Sequence, residues 1–301
     1  MFDKRILFMG TPAIASFYLK SLIELNLKIV GVFSQPPSQK GRGLKIQKSA
    51  VHELALSNEI KVFTPSDLNT KNLKEEIAIL KPDLIIVMGY GLKIPSYLLN
   101  LPAFGCINIH ISLLPRWRGA APIEHCLLNG DKITGITIFK LIDEMDAGPI
   151  LIQKKIKIDE YINKEELTKK LNALGIKTLN MIMPMIFKNE IKFVLQDEGK
   201  VSYAKKISSE IRKIDFNEKA ENIHNKIRAF APNPCAWFIY KNERIKIIKS
   251  DFKKGNWQSA EIINDKFHIG CNSGKICPLI VQKEGKKPMH IDDFLRGFNF
   301  E

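Results

Sequence analysis

No Cys-x-x-Cys pair, no phosphate-binding P-loop and no complete Gly-x-Gly-x-x-Gly fingerprint occur in these 301 residues. Without the first, a structural zinc site has little support. Cys106, Cys126, Cys235, Cys271 and Cys277 are odd in number, and no His sits at a zinc-like interval from the 271/277 pair. Reduced thiols packed as small apolar residues are expected. Without the other two, a dinucleotide site is unsupported, because Gly10 stands alone after the first apolar run. Internal repeats, low-complexity tracts and metal-ligand clusters are missing too. So are long apolar runs, and Leu84 to Met88 is far too short to span a bilayer. The opening MFDKRILFMGTP has an apolar run of about five residues, a Gly-Thr-Pro turn and no small-residue cleavage site, so a cytoplasmic chain is expected. Acidic residues are scarce relative to basic ones, 32 Asp and Glu against 46 Lys and Arg, for a net charge of +14. That balance favours a polyanionic partner such as nucleic acid, with a lysine-rich solvated surface as the alternative.

What remains is a globular chain, 45% hydrophobic and long enough for two domains. Arg5 to Met9, Lys28 to Phe33, Lys61 to Phe63, Leu84 to Met88 and Gly105 to Ile109 carry strand-like apolar runs. Helical spacing over Ala13 to Leu25, Ala50 to Asn58 and Asn72 to Leu80 alternates with them, and Ser34 to Ser49 is a long polar loop. This order predicts an α/β fold with a doubly wound, mostly parallel, Rossmann-like sheet whose sites lie at the strands' C-terminal ends. Ile133 to Leu141 and Pro149 to Ile158 add two strands, and Lys164 to Phe187 a long helix. Residues 1–188 are expected to form this domain, with 189–205 as a polar linker. In 206–301, one helix (Ala220 to Phe230) precedes short alternating segments at Ala236 to Tyr240, Arg244 to Lys249, Ser259 to Asn264, Lys266 to Cys271 and Lys275 to Gln282. Many short strands with turns between them predict a small, OB-like β-barrel.

The most informative stretch runs from Cys106 to Ile150. Asn108 and His110 lie two apart in an apolar run, so on a strand they share one face. Asp146 follows a proline- and arginine-rich loop and sits just before Gly148-Pro149. An amide donor, a titratable imidazole and a carboxylate together can run acyl transfer without a nucleophilic Ser or Cys. Each residue alone has a plainer explanation: a core histidine, a turn aspartate, an asparagine satisfying a strand end. Asp143 and Glu144 compete for the carboxylate role, and His125 reads as structural on a helix after Pro122.

Asn108-x-His110-x-Ser112-Leu113-Leu114-Pro115, then Arg118-Gly119-Ala120-Ala121-Pro122, then Asp146-x-Gly148 resembles the 10-formyltetrahydrofolate-dependent formyltransferases. Phe8-Met9-Gly10-Thr11-Pro12, Val87-Met88-Gly89-Tyr90-Gly91-Leu92, Tyr203-Ala204-Lys205-Lys206-Ile207, Arg228-Ala229-Phe230 and Gly285-Lys286-Lys287-Pro288-Met289 extend the likeness over nearly the whole chain. They resemble the branch of that family that formylates the methionine carried by initiator tRNA in protein synthesis.

The resemblance implies formyl transfer from the folate N10 to the α-amino group of methionyl initiator tRNA; a cytoplasmic monomer without a metal is the accompanying expectation. The resemblance also implies Asn108 as oxyanion donor, His110 as proton shuttle and Asp146 as the group holding the imidazole. Ser112, Leu113, Leu114, Pro115, Met88 and Tyr90 would bind the folate. Arg42 in Gly41-Arg42-Gly43, with Lys40, Lys45 and Lys48, would enter the tRNA, and Lys205 and Lys206 would add contacts from the second domain. Formyltransferases acting on glycinamide ribonucleotide or sugar amines, and formyltetrahydrofolate hydrolases, share the three-residue centre. Small acceptors need neither a Gly-Arg-Gly loop nor a second domain. A catalytically dead RNA-binding protein would have no use for an intact Asn–His–Asp set.

Overall fold

The apolar runs assemble into one seven-stranded sheet in the computed structural model, which describes residues 3–40, 45–263 and 266–297. Across the sheet the strands run Ile150–Lys157, Ile133–Lys140, Cys106–His110, Leu84–Met88, Arg5–Gly10, Lys28–Phe33 and Val62–Phe63. The last five pair in parallel. Ile6 to Met9 and Leu84 to Met88 are buried without interruption, as strands covered on both faces must be. From Val62–Phe63 the chain crosses to Leu84–Met88 on the other side of Arg5–Gly10. The C-terminal ends of the central strands at that reversal are the expected position for a site.

Two compact units divide the chain. Met1–Arg118, Gly135–Lys155 and Leu171–Ser202 form one; Gly119–Thr134, Ile156–Lys170 and Tyr203–Glu301 form the other. In the second, Ala236–Tyr240, Glu243–Lys253, Gly274–Lys283 and Ile269–Cys271 make an antiparallel sheet, with Met289–His290 beside Gly274–Lys283. Helix Ala220–Phe230 turns Ile223, Ile227 and Phe230, spaced four and three apart, into a core with Phe238, Ile245, Phe267 and Val281. The long helix Lys164–Phe187 opens on a reciprocal cap: the Glu166 N–H donates to Asn163 Oδ1 (3.0 Å), and the Asn163 N–H donates to Glu166 Oε2 (3.1 Å).

Three expectations change. Ile133–Lys140 runs antiparallel to Cys106–His110, so the sheet is mixed on this side of the five parallel strands. Ser34 to Ser49 is not all loop: Ser38–Lys40 pairs with Lys45–Gln47 in a short antiparallel ribbon. Its pairs are mostly polar and Ile46 is exposed, so no buried face marks it in the sequence. Within Ser259 to Asn264 only Ile262 bridges to Ile269, and Asn264 lies outside the described residues. All five cysteines are buried and none is in a disulfide, and burial pushes the Cys106 thiol up to about 12 and Cys271 to about 11.

Candidate active site

Along Cys106–His110 the side chains of Asn108 and His110 share one face of the strand, and Ile107 and Ile109 occupy the other. Asn108 lies between Val87 and Phe139 of the flanking strands, and His110 beside Thr137. The amide of Asn108 is half-buried and makes no side-chain hydrogen bond among the described residues, which leaves its donors for a ligand.

His110 is buried, with the Phe139 ring edge-on to it at 6.4 Å. Its Nε2 lies 2.8 Å from the Trp117 carbonyl oxygen. A carbonyl only accepts, so Nε2 carries a proton and Nδ1 is the nitrogen that exchanges one. Nδ1 faces Asp146 Oδ2 at 3.7 Å, and the Asp146 side chain is only 13% exposed. The strands expected to flank Asp146 do so, and they bring its carboxylate to the imidazole. Asp143 instead bonds Ser96, and Glu144 faces Arg118.

Asp146 occupies a left-handed turn with φ of 53°, unusual for a residue with a side chain. Two residues on, Gly148 passes so close to Lys140 that a Cβ would lie 1.7 Å from its carbonyl oxygen. Gln196 holds this turn from outside, donating through Nε2 to the carbonyls of Asp146 (2.7 Å) and Gly148 (2.8 Å). Its Oε1 accepts from Nε (3.2 Å) and Nη2 (3.0 Å) of Arg118. Arg118 is fully buried and is charge-paired with Glu198 at 2.6 Å and Glu144 at 3.6 Å.

The Ser112–Pro115 segment is held by the sheet. Thr137 Oγ1 donates to the Ser112 carbonyl (2.7 Å) and accepts from the Leu114 N–H (3.1 Å). Gln153 Nε2 donates to the Leu114 carbonyl (2.7 Å), and the Ser112 hydroxyl donates to the Arg116 carbonyl (2.6 Å). Ser112 and Leu114 are buried, while Leu113 and Pro115 keep partly open surfaces. Met88 ends its strand, buried. Tyr90 is buried against Phe33, its hydroxyl has no partner among the described residues, and desolvation raises its pKa well above the usual phenol range.

Lys45, Lys48, Lys205 and Lys206 are exposed. Arg42 and the side chain of Lys40 lie outside the described residues. The contributions sequence reasoning missed are Trp117, Thr137, Gln153, Gln196 and Ser202, together with the clamping role of Arg118. Thr137 and Gln153 do stand out as polar residues in strand runs. Gln196 and Ser202 sit in a stretch without periodicity and give no such signal.

The Formyl transferase family matches residues 4–182, and its C-terminal domain, Formyl transferase, C-terminal domain, matches 206–299. A methionyl-tRNA formyltransferase from Pelagibacter ubique is 41% identical over 298 residues, covering 98% of this chain and 96% of that protein. One from a Wolbachia pipientis of Culex pipiens is 40% identical over 296 residues, covering 97% and 96%. Among solved structures, the sugar 3N-formyl transferase WlaRD, in the presence of dTDP and 5-N-formyl-THF, superimposes with a TM-score of 0.70 at 22% identity, covering 95% of this chain and 100% of that one. That last likeness is one of fold.

Proposed function

Because the chain belongs to the methionyl-tRNA formyltransferase family, we propose that Asn108, His110 and Asp146 carry its reaction. The enzyme transfers a formyl group from 10-formyltetrahydrofolate to the α-amino group of methionyl initiator tRNA. The single observation that carries the site assignment is the buried His110–Asp146 pair, placed on the strand face that also bears the unengaged Asn108 amide.

Attack of the amine on the formyl carbon puts negative charge on the formyl oxygen. Asn108 donates to that oxygen, a contact worth roughly 3–4 kcal/mol when preorganised. The attacking amine loses a proton and the folate nitrogen gains one as its bond to the formyl carbon breaks. His110 passes that proton through Nδ1, while Nε2 stays on the Trp117 carbonyl and fixes the ring plane. Asp146, 3.7 Å from Nδ1, keeps the ring in that orientation.

Leu113, Pro115, Met88 and Tyr90 line the folate side, with Ser112 and Leu114 holding the backbone behind them. Arg42, Lys40, Lys45 and Lys48 engage the tRNA, joined by Lys205 and Lys206. We take residues 1–188 as catalytic, 189–205 as connecting and 206–301 as an OB-like tRNA platform. Register shifts near Lys249 curl the long strand, and the bridges Lys213↔Trp237 and Ile262↔Ile269 extend both sheet edges toward closure, which supports a barrel. The enzyme works in the cytoplasm as a monomer, each chain carrying the whole Asn–His–Asp centre.

The test is incubation with 10-formyltetrahydrofolate labelled in the formyl group and methionine-charged initiator tRNA. Label should enter precipitable RNA, be released by mild ester hydrolysis and appear as N-formylmethionine. His110→Ala should lower turnover by a factor on the order of 10²–10⁴ with tRNA affinity little changed. Label passed only to small amines or released as formate would overturn the acceptor assignment. Undiminished turnover in His110→Ala would overturn the site.

A further inference from the structure

The two polar contacts of the His110 ring, with the Trp117 carbonyl and the Asp146 carboxylate, are both fastened to one stretch, Val194 to Ser202. At one end Gln196 grips the Asp146 turn. At the other, the Trp117 N–H donates to the Ser202 hydroxyl (3.0 Å) and the Arg118 N–H to the Ser202 carbonyl (2.8 Å). Trp117 is itself in the left-handed region, with φ of 65°. The bonds to Ser202 hold the backbone on both sides of Trp117, in the conformation that turns its carbonyl toward His110. Val194 anchors the stretch to the sheet through a two-bond bridge with Ile150.

Gln196 is satisfied at every polar position. Arg118 has donors only, so the Gln196 oxygen must face it and the NH₂ must face the two carbonyls. Both amide hydrogens are used, one on each side of Ala147. This pins the carbonyls of Asp146 and Gly148 and fixes the turn that aims the carboxylate. The carboxylates of Glu198 and Glu144 pair with Arg118, and the Glu144 carbonyl accepts from the Ala147 N–H (3.5 Å), but it is Gln196 that links Arg118 to the carbonyls of Asp146 and Gly148.

We propose that Gln196 and Ser202 are positioning residues of the transfer centre. Gln196, oriented by the buried Arg118, sets the carboxylate of Asp146, and Ser202, through the Trp117 peptide, sets the acceptor of His110 Nε2. The proposal rests on the assignment of His110 and Asp146 as catalytic.

The experiment is a set of steady-state kinetics on full-length variants with both natural substrates, alongside thermal unfolding. Gln196→Met keeps the side-chain length and removes both grips. Its kcat should fall on the order of 10–100-fold, the cost of a small misplacement of a reacting group. KM for folate and tRNA and the unfolding midpoint should stay near wild type. In an Asp146→Asn background the same change should cost less than about threefold, because residues acting as a unit lose activity non-additively. An equal loss in both backgrounds, or an unchanged kcat in Gln196→Met, would overturn the proposal. Should Gln196→Met not fold, Ser202→Ala and Ser202→Thr decide: alanine should lower kcat and threonine, which keeps the hydroxyl, should restore it, while equal turnover in the two would overturn it. Wild-type turnover in Asp146→Asn alone would instead remove the catalytic assignment on which the proposal stands.

Discussion

His224 has both ring nitrogens bound inside its own unit, Nδ1 to the Ser250 hydroxyl at 3.0 Å and Nε2 to the Glu160 carbonyl at 3.2 Å. It is 3% exposed, and burial holds its pKa below the usual histidine value; the nearby Arg228 charge acts the same way, against Asp251 and Glu160. As pH falls through about 6.5, the unfolded chain takes up this proton before the folded one does. The neutral buried ring thus contributes stability that is present above that pH. The contribution is lost on acidification toward the folded-state pKa. The unfolding midpoint of the wild type should fall between about pH 7.5 and 5.5. His224→Gln, which keeps hydrogen-bonding capacity but does not titrate there, should show a shallower dependence. A midpoint that rises on acidification, or an identical slope in the variant, would contradict this account.

Helix Lys164–Phe187 contains a glycine, Gly175, at a position where alanine would ordinarily add about 1 kcal/mol. Here the sign reverses. A Cβ at Gly175 would stand 2.0 Å from the hydroxyl oxygen of Tyr18, which is fully buried in helix Ala13–Glu24. Gly175→Ala should therefore destabilise by about 1–3 kcal/mol in urea unfolding, the usual cost of overpacking, and Tyr18→Phe in the same chain should recover part of it. A stabilised Gly175→Ala would show that the helix propensity wins. The spacing of that helix was legible in the sequence from end to end, as were Lys28–Phe33, Leu84–Met88, Ala220–Phe230 and Ala236–Tyr240. Periodicity reports which face is buried, and in these elements burial is set by the element's own residues. It does not report a partner. The antiparallel entry of Ile133–Lys140 and the ribbon Ser38–Lys40 with Lys45–Gln47 depend on pairing, and so stayed hidden. The candidate site divides along the same line. Asn108 and His110 announce themselves by a local i, i+2 spacing. Gln196 makes its side-chain contacts 48, 50 and 78 residues away, with Gly148, Asp146 and Arg118.

Across the whole molecule, the excess of 14 positive charges sets how it meets a polyanion. Each phosphate neutralised by Lys or Arg releases condensed counterions, so tRNA affinity should fall linearly on a logarithmic salt scale, with a slope that counts the contacts. A net charge acting diffusely would make that slope insensitive to any one side chain. A specific contact would not. Arg42, between two glycines, is the best test of the difference, because a guanidinium grips phosphate bidentately or stacks on an unpaired base. Arg42→Ala should lower tRNA affinity and reduce the salt slope by about one. Folate binding and formyl transfer to a small free amine should remain near wild type. Exposed lysines such as Lys45 and Lys205 should each have smaller effects when replaced singly, as point charges without the planar fork. Equal losses for tRNA and for the small amine in Arg42→Ala would mean that the loop serves the folate side, and that the positive charge meets tRNA elsewhere.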